Sequence, residues 1–364
     1  MDKLFIKFIK FRESNNNSVK LSTINIYKRN LKIIVELLKG KNFHFKSMDI
    51  FIDYNKVFNL IDKFSVDKKK KIINAIMVFL MNDENYKELK NKYYKYKSGL
   101  EKKITERRKD QVKTEKEAEN WLTFNELNHI VNNYKRKFTF LNNKIKSKIK
   151  EGKKVRLNFN NSNNSNSFIL SKSDEQIILH YLITQLYCGD PFNHGPRRTV
   201  YSTFRIVSLD VYKNLKNKDK VNLLIVENKS NKRFQFAEYK TSSKNEEPYI
   251  IKLSSKMNNV LNNVIPYLLL YYNQYYDHKW YKNSFNIPLI RNINTREQAK
   301  PYNMTSIIQG IFKDTKCNIS VNQIRKIIIS EFYNKLRTKE EKEKYAKSCG
   351  HNITTAEYTY NKVK

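Results

Sequence analysis

Among the places after position 120 where a Ser or Thr stands three residues ahead of a Glu or Gln, five read as capping boxes beside a helical stretch: Thr123 to Glu126, Ser173 to Gln176, Ser320 to Gln323, Thr338 to Glu341 and Thr354 to Glu357. In such a box the hydroxyl accepts from a backbone amide in the first helical turn, and the longer side chain reaches back to the amide of the capping residue. Each box therefore marks a helix start. Apolar residues at helical spacing follow, as with Leu127, Ile130, Val131 and Tyr134 after the first box and Ile177, Ile178, Tyr181, Leu182 and Leu186 after the second. Earlier in the chain, Tyr27, Leu31, Ile34, Val35 and Leu38 predict a helix capped by Ser22 and stopped by Gly40. Ile72, Ile73, Ile76, Met77 and Leu80 predict another after Asp67. The chain is expected to be mainly α.

One region departs from that period. Val221 to Glu227 and Arg233 to Tyr239 alternate as strands do, with Asn228 to Lys232 as the hairpin turn and a third strand at Tyr249 to Leu253, so a small antiparallel β-sheet is expected. Residues 83–118 read as one long charged helix, or helix plus linker, with no apolar face wide enough for a core. Asn158 to Ser167, NFNNSNNSNS, reads as a polar surface loop. A chain of 364 residues exceeds what a single core usually holds. These features divide it into a helical unit over 1–98, a charged helix or linker over 99–120 and a mostly helical unit with one small sheet over 121–364.

The 71 Lys and Arg outnumber the 35 Asp and Glu, a formal charge of +36 that points to a polyanionic partner, with nucleic acid the first candidate. Lys68, Lys69, Lys70 and Lys71 crowd one helical first turn, where lysines oppose the helix dipole; a phosphate partner and a solvated charged turn both fit that arrangement. Cys188, Cys317 and Cys349 are far apart, without C-x-x-C spacing, which excludes a zinc ribbon or a disulfide scaffold and fits a reducing compartment. The apolar run Val264 to Tyr272 is too short to span a bilayer, and the start MDKLFIKFIKF lacks a leader's cleavage site. An intracellular protein with no membrane partner is expected.

Four short stretches carry chemistry: Gly195-Pro196-Arg197-Arg198-Thr199-Val200-Tyr201, Phe236-Ala237-Glu238-Tyr239-Lys240-Thr241-Ser242, Asn322-Gln323-Ile324-Arg325-Lys326, and the closing Gly350-His351 with Tyr358 and Tyr360. Tyr358 and Tyr360 are two helical positions apart, roughly 200° around an α-helix, so they cannot share one pocket. In this order and spacing the series resembles the tyrosine recombinase (phage-integrase-like) family, particularly the group found in large DNA viruses and related mobile elements. The resemblance spans Ser22 to Lys362.

That resemblance implies a two-domain DNA-breaking-rejoining architecture, with a helical core-binding domain, a catalytic domain, and a linker crossing the duplex between them. It implies Arg198 as the first catalytic arginine, with Arg197 the runner-up, Lys240 as general acid on the hairpin, and Arg325 as the second arginine. It implies His351 as a hydrogen-bond donor to the phosphate and Tyr360, nine residues on, as nucleophile, in preference to Tyr358. Asn322 stands where the family carries a histidine that could accept the tyrosine proton, and slower cleavage is expected. Lys68 to Lys71, Arg197, Lys244 and Lys326 are the expected DNA contacts.

The implied activity is site-specific cleavage and rejoining of double-stranded DNA through a 3′-phosphotyrosine, with neither metal nor other cofactor. A dimer or tetramer on synapsed DNA is implied, in a host cytoplasm, viral factory or nucleus. The alternatives are relaxation of supercoils in the manner of a type IB topoisomerase and a catalytically silent DNA-binding protein of the same fold. Chemically the residue types suit the first reading. Two guanidiniums can clamp the oxygens of a phosphodiester under attack, and a lysine can protonate the departing 5′ oxygen.

Overall fold

Helices α1 (Leu21–Lys39) and α3 (Val66–Leu80) form where the apolar stripes place them, with α2 (Tyr54–Ile61), not expected from sequence, between them in a compact unit comprising Met1–Asp110. α1 buries Ile24, Leu31, Ile34 and Val35, and α3 packs Ile72, Ile73, Ile76 and Leu80 against it. Gly40 ends α1 at φ +86°, a left-handed position that glycine takes without a Cβ penalty. The computed structural model describes residues 21–41, 47–80, 84–157, 166–238, 247–272, 276–277 and 279–362, and before these only positions 6, 9, 10, 12, 13 and 19.

Of the charged helix or linker expected over 99–120, the first half is helix, and what is corrected is its expected lack of a core face. α4 (Lys87–Lys109) runs through its first half as a continuous helix and has a core face, with Tyr93, Leu100 and Ile104 buried. Tyrosine supplies the apolar area that the aliphatic count lacks: the Tyr93 hydroxyl donates to the Phe51 carbonyl at 2.8 Å, while Tyr96 stacks on Phe58 with ring centroids 3.9 Å apart. The boundary between compact units falls after Asp110, and the rest of the expected linker belongs to the second unit, Gln111–Lys364.

In that second unit α5 (Glu115–Glu119) and α6 (Phe124–Lys150) each open on a complete capping box, at Thr114 with Glu117 and Thr123 with Glu126. Leu127, Val131, Tyr134, Phe138, Leu141 and Ile145 turn one face of α6 into the core. Two strands not expected from sequence follow, β1 (Lys154–Leu157) and β2 (Ser167–Leu170), paired in parallel. Ser167, expected at the end of the polar loop, begins β2, and positions 158–165 of that loop lie outside the described residues. α7 (Lys172–Thr184) is capped by Ser171 with Asp174, two residues ahead of the expected box, because Asp174 reaches back to the Ser171 amide at 2.9 Å. Phe138 and Tyr181 stack between α6 and α7 at 4.1 Å.

After α7 and a π-helical turn, Gln185–Gly189, come β3 (Arg205–Ser208), α8 (Leu209–Asn214), β4 (Leu223–Val226), β5 (Lys232–Phe236), β6 (Tyr249–Lys252), α9 (Ser255–Leu269) and β7 (Asn286–Pro288). The sheet has the order β6-β5-β4-β3-β7 and is mixed, not antiparallel as expected, because β3 and β4 run parallel with α8 in the connection between them. The expected hairpin is β4 and β5, and β6 extends it. Lys232, at its turn, is fully buried: its ammonium donates to the Lys229 carbonyl and to Asn262 Oδ1, and burial lowers its pKa to about 8. The chain then finishes in α10 (Pro301–Ile311), α11 (Val321–Tyr333), α12 (Lys339–Ser348) and α13 (Ile353–Thr355). Among the described residues no helix is long and apolar enough to cross a membrane.

A pH effect arises inside this core. His180 on α7 is 6% exposed and edge-on to Tyr134, and burial, with smaller contributions from Lys137 and Lys313, pushes its pKa down to about 4 from 6.5. The folded chain then binds fewer protons than the unfolded one, so stability held above pH 6.5 is lost as pH falls toward 4. Between pH 6.5 and 5 this one group contributes a loss on the order of 2 kcal/mol. His194 and His351 shift in the same direction. Melting temperature is expected to fall over that interval and to fall less steeply in His180→Gln; equal slopes would contradict the assignment.

Candidate active site

The turn before β3 and the end of the chain meet through a close backbone approach. Gly195 donates its amide to Ser348 Oγ at 3.2 Å, and a Cβ on Gly195 would stand 2.4 Å from Cys349 Sγ. Only glycine fits there. Immediately after it, Arg197 and Arg198 separate by one residue into two environments. Arg197 is buried, with its guanidinium 4.0 Å from the Phe236 ring centroid and 5.1 Å from that of Tyr249, and it donates to the Lys347 carbonyl at 3.2 Å. Packing against two rings and a bond to a carbonyl give that cation a bracing role.

Arg198 is exposed, and its Nη2 donates to the Tyr360 hydroxyl at 3.0 Å. Tyr187, fully buried in the π-helical turn, donates its hydroxyl to the Arg198 carbonyl at 2.9 Å and fixes the backbone from which that arm extends. Tyr187 was not singled out in the sequence. Its only signal is the irregular Cys188-Gly189-Asp190 that follows it.

Arg325 comes from the second turn of α11, whose N-cap Ser320 accepts from the Gln323 amide as the box predicts. Its side chain is 1% exposed, one guanidinium nitrogen donates to the Cys349 carbonyl at 3.2 Å, and the guanidinium lies 4.5 Å from the Tyr360 ring centroid. Nε and Nη1 are buried and have no partner among the described residues. Burial lowers the Arg325 pKa, opposed by Tyr360 and Cys349. A buried cation with two unused donors is costly unless an anion completes it.

Tyr360 ends a π-helical turn, Ala356–Tyr360, that continues α13. The helix begins at Asn352, which caps the Thr355 amide at 2.8 Å, so the box expected from Thr354 to Glu357 does not form. The segment is held on both sides of the tyrosine: Ser330 Oγ accepts from the Lys362 amide at 2.8 Å and donates to the Tyr360 carbonyl at 3.4 Å, and Gln111 Nε2 donates to the Glu357 carbonyl at 3.1 Å. Tyr360 is 3% exposed and Tyr358 is 38% exposed. The two tyrosines thus occupy different surroundings, and only Tyr360 meets the arginines.

His351 lies with its ring centroid 4.8 Å from that of Tyr360. Its Nδ1 faces the Ala346 carbonyl at 3.0 Å and must carry the hydrogen, since a carbonyl only accepts. Nε2 is buried without a partner among the described residues. Burial first, then Arg325, Arg197 and Arg198, push the ring's pKa down to about 3, so the imidazole is neutral and Nε2 carries no hydrogen near pH 7. The donor role expected of His351 therefore does not match this tautomer. Gly350 sets the ring's approach: its φ is +79°, and a Cβ there would come 2.7 Å from Arg197 Nη1. Gly350→Ala is expected to cost about 1–2 kcal/mol in backbone strain alone and to displace Arg197 and His351 together. A thermal melt unchanged from wild type would contradict that placement.

The remaining expected site residues divide three ways. Asn322 is exposed in the first turn of α11, three residues before Arg325. Lys326 is ion-paired with Glu117, both side chains being mostly buried, which ties α11 to α5. Lys68 donates to Asn30 Oδ1 at 2.9 Å, Lys69 pairs with Asp62 at 2.5 Å and Lys70 with Glu101 at 2.9 Å, which leaves Lys71 exposed. Lys240 and Lys244 lie outside the described residues.

What gathers, then, is one phenol, two guanidiniums and one neutral imidazole, drawn from positions 198 to 360. Among the described residues no group of three or more His, Cys, Asp or Glu comes together. Such a set can hold an oxyanion beside a nucleophile. No family model, no curated protein and no solved structure matches this chain.

Proposed function

We propose that the chain is a DNA strand transferase of the tyrosine-recombinase type, in which Tyr360 attacks a backbone phosphate held by Arg198 and Arg325. The observation that carries this reading is the Tyr360 hydroxyl accepting from Arg198 at 3.0 Å beside the buried, incompletely paired Arg325 guanidinium. A surface tyrosine needs no such company. The two cations that converge on the phenol favour the charge that grows on the non-bridging oxygens as phosphorus becomes five-coordinate. The net charge of +36 supplies sequence-independent attraction to the duplex.

The step balances simply. The Tyr360 oxygen forms a bond to phosphorus, the bond to the 5′ oxygen breaks, and that oxygen leaves with the electron pair and takes a proton, for which Lys240 is the expected donor. The phosphotyrosyl link conserves the bond energy, so a 5′ hydroxyl on another strand can reverse the step and complete strand transfer. Recombination, and not mere relaxation, is the favoured outcome on the strength of the ordered residue series.

A pool of nicked duplexes, randomised in sequence around the nick, tests the reading, because a short fragment released beside the nick diffuses away and traps the covalent complex. Recovery of a denaturant-stable adduct is expected, with captured sequences that converge. No adduct from an exhaustive pool would overturn the reading, and capture without convergence, together with relaxation of any supercoiled plasmid, would reassign it to topoisomerase action.

A further inference from the structure

Asn322 leaves a gap in the chemistry, since an amide cannot take a proton from a phenol, and it is exposed. Among the described residues the Tyr360 hydroxyl accepts from Arg198, while no acceptor is assigned to its own hydrogen. The proton that must leave during attack has to go somewhere. An acceptor without a partner among the described residues lies beside the ring: His351 Nε2, buried, on an imidazole whose centroid is 4.8 Å from that of the tyrosine.

Resting on the reading of Tyr360 as nucleophile, we propose that His351 is the general base of this site, its Nε2 accepting the Tyr360 hydroxyl proton as the phenol oxygen bonds to phosphorus. The tautomer required is the one present. Ala346 holds the hydrogen on Nδ1 at 3.0 Å, which leaves the Nε2 lone pair toward the interior. Proton transfer would make an imidazolium whose Nδ1–H already has its acceptor, so the charged ring needs no new partner on that side.

The charges around the ring account for both halves of the cycle. Burial first, then Arg325, Arg197 and Arg198, disfavour a second proton on the imidazole, so the base is unprotonated before a phosphate binds. A phosphodiester anion seated against Arg198 and Arg325 offsets those cations and raises the ring's proton affinity in the complex alone. No hydrogen bond joins Nε2 to the Tyr360 hydroxyl among the described residues, and such a contact can tighten when substrate binds. The leaving 5′ oxygen takes its proton elsewhere, from the expected Lys240, so base and acid are distinct groups.

The test uses the full chain and the nicked duplex captured above, with 2,3,5-trifluorotyrosine placed at position 360 by codon suppression to lower the phenol's pKa. His351→Ala and His351→Gln are both expected to slow adduct formation by about 10²–10⁴-fold, because the glutamine restores an N–H donor but no base. In either variant, the fluorinated phenol is expected to recover at least about tenfold of the rate, while changing the rate of the His351 protein far less. Recovery by glutamine, or an equal effect of fluorination with and without His351, would overturn the assignment and return the ring to phosphate binding. If His351→Ala melts before assay, His351→Gln carries the comparison. Failure of the unsubstituted protein to form any adduct would instead remove the nucleophile reading, and the base with it.

Discussion

Tyr360→Phe is expected to abolish the proposed covalent DNA adduct while leaving the folded chain and its proposed affinity for duplex intact. The change removes one oxygen and one hydrogen bond, from Arg198 at 3.0 Å, and keeps the ring beside Arg325 and His351. Loss of such a bond costs about 1 kcal/mol, a fall in melting temperature of about 2–4 °C for a unit of this size. The chemical effect has no comparable limit, since phenylalanine has no atom to bond to phosphorus, and a loss of at least about 10⁴-fold is expected. Tyr358→Phe serves as the control: Tyr358 is exposed and should leave the rate unchanged. Adduct persisting in the Tyr360 variant and lost in the Tyr358 variant would transfer the role to the neighbouring residue.

Arg325→Met is expected to move stability and activity in opposite directions. The guanidinium is 1% exposed, donates one hydrogen bond to the Cys349 carbonyl and keeps Nε and Nη1 without partners among the described residues. Taking a cation out of water costs several kcal/mol, and this one is only partly compensated until a phosphate arrives. Methionine of similar reach would fill the same space beside Tyr360 without that cost. The melting temperature should therefore hold or rise, by up to about 4 kcal/mol in stability. Adduct formation should fall by about 10²–10³-fold, as when one preorganised donor to a transition-state oxyanion is removed. A melt lowered by several kcal/mol with cleavage unchanged would mean that Arg325 is a structural post for Cys349 and nothing more.

The sequence was most readable where local chemistry decides the structure by itself. Thr123, Ser320 and Thr338 cap their helices as their spacing requires, and α6 buries the stripe that its period predicts. It was least readable where tertiary partners decide. α4 seemed too polar for a core until Tyr93 found the Phe51 carbonyl and Tyr96 found Phe58. The parallel β3 and β4 pair depends on a connection, not on either strand's pattern.

Within the site, Arg198 and Arg197 are indistinguishable by composition, and what separates them is a carbonyl held by Tyr187 on one side and aromatic rings closing over the other. The π-helical turn that sets Tyr360 has no marker in its residues, and the cap that begins its helix is Asn352, upstream of the box expected there. The His351 tautomer follows from a single carbonyl, Ala346, five residues earlier. No spacing rule contains that contact.

The central claim is that one buried phenol breaks DNA by joining to it, and mapping the joined residue tests it most directly. The captured adduct, digested with protease and nuclease and sequenced by tandem mass spectrometry, is predicted to carry its nucleotide on Tyr360 through a 3′-phosphodiester. A nucleotide found on any other residue, or attached through its 5′ phosphate, would contradict the account.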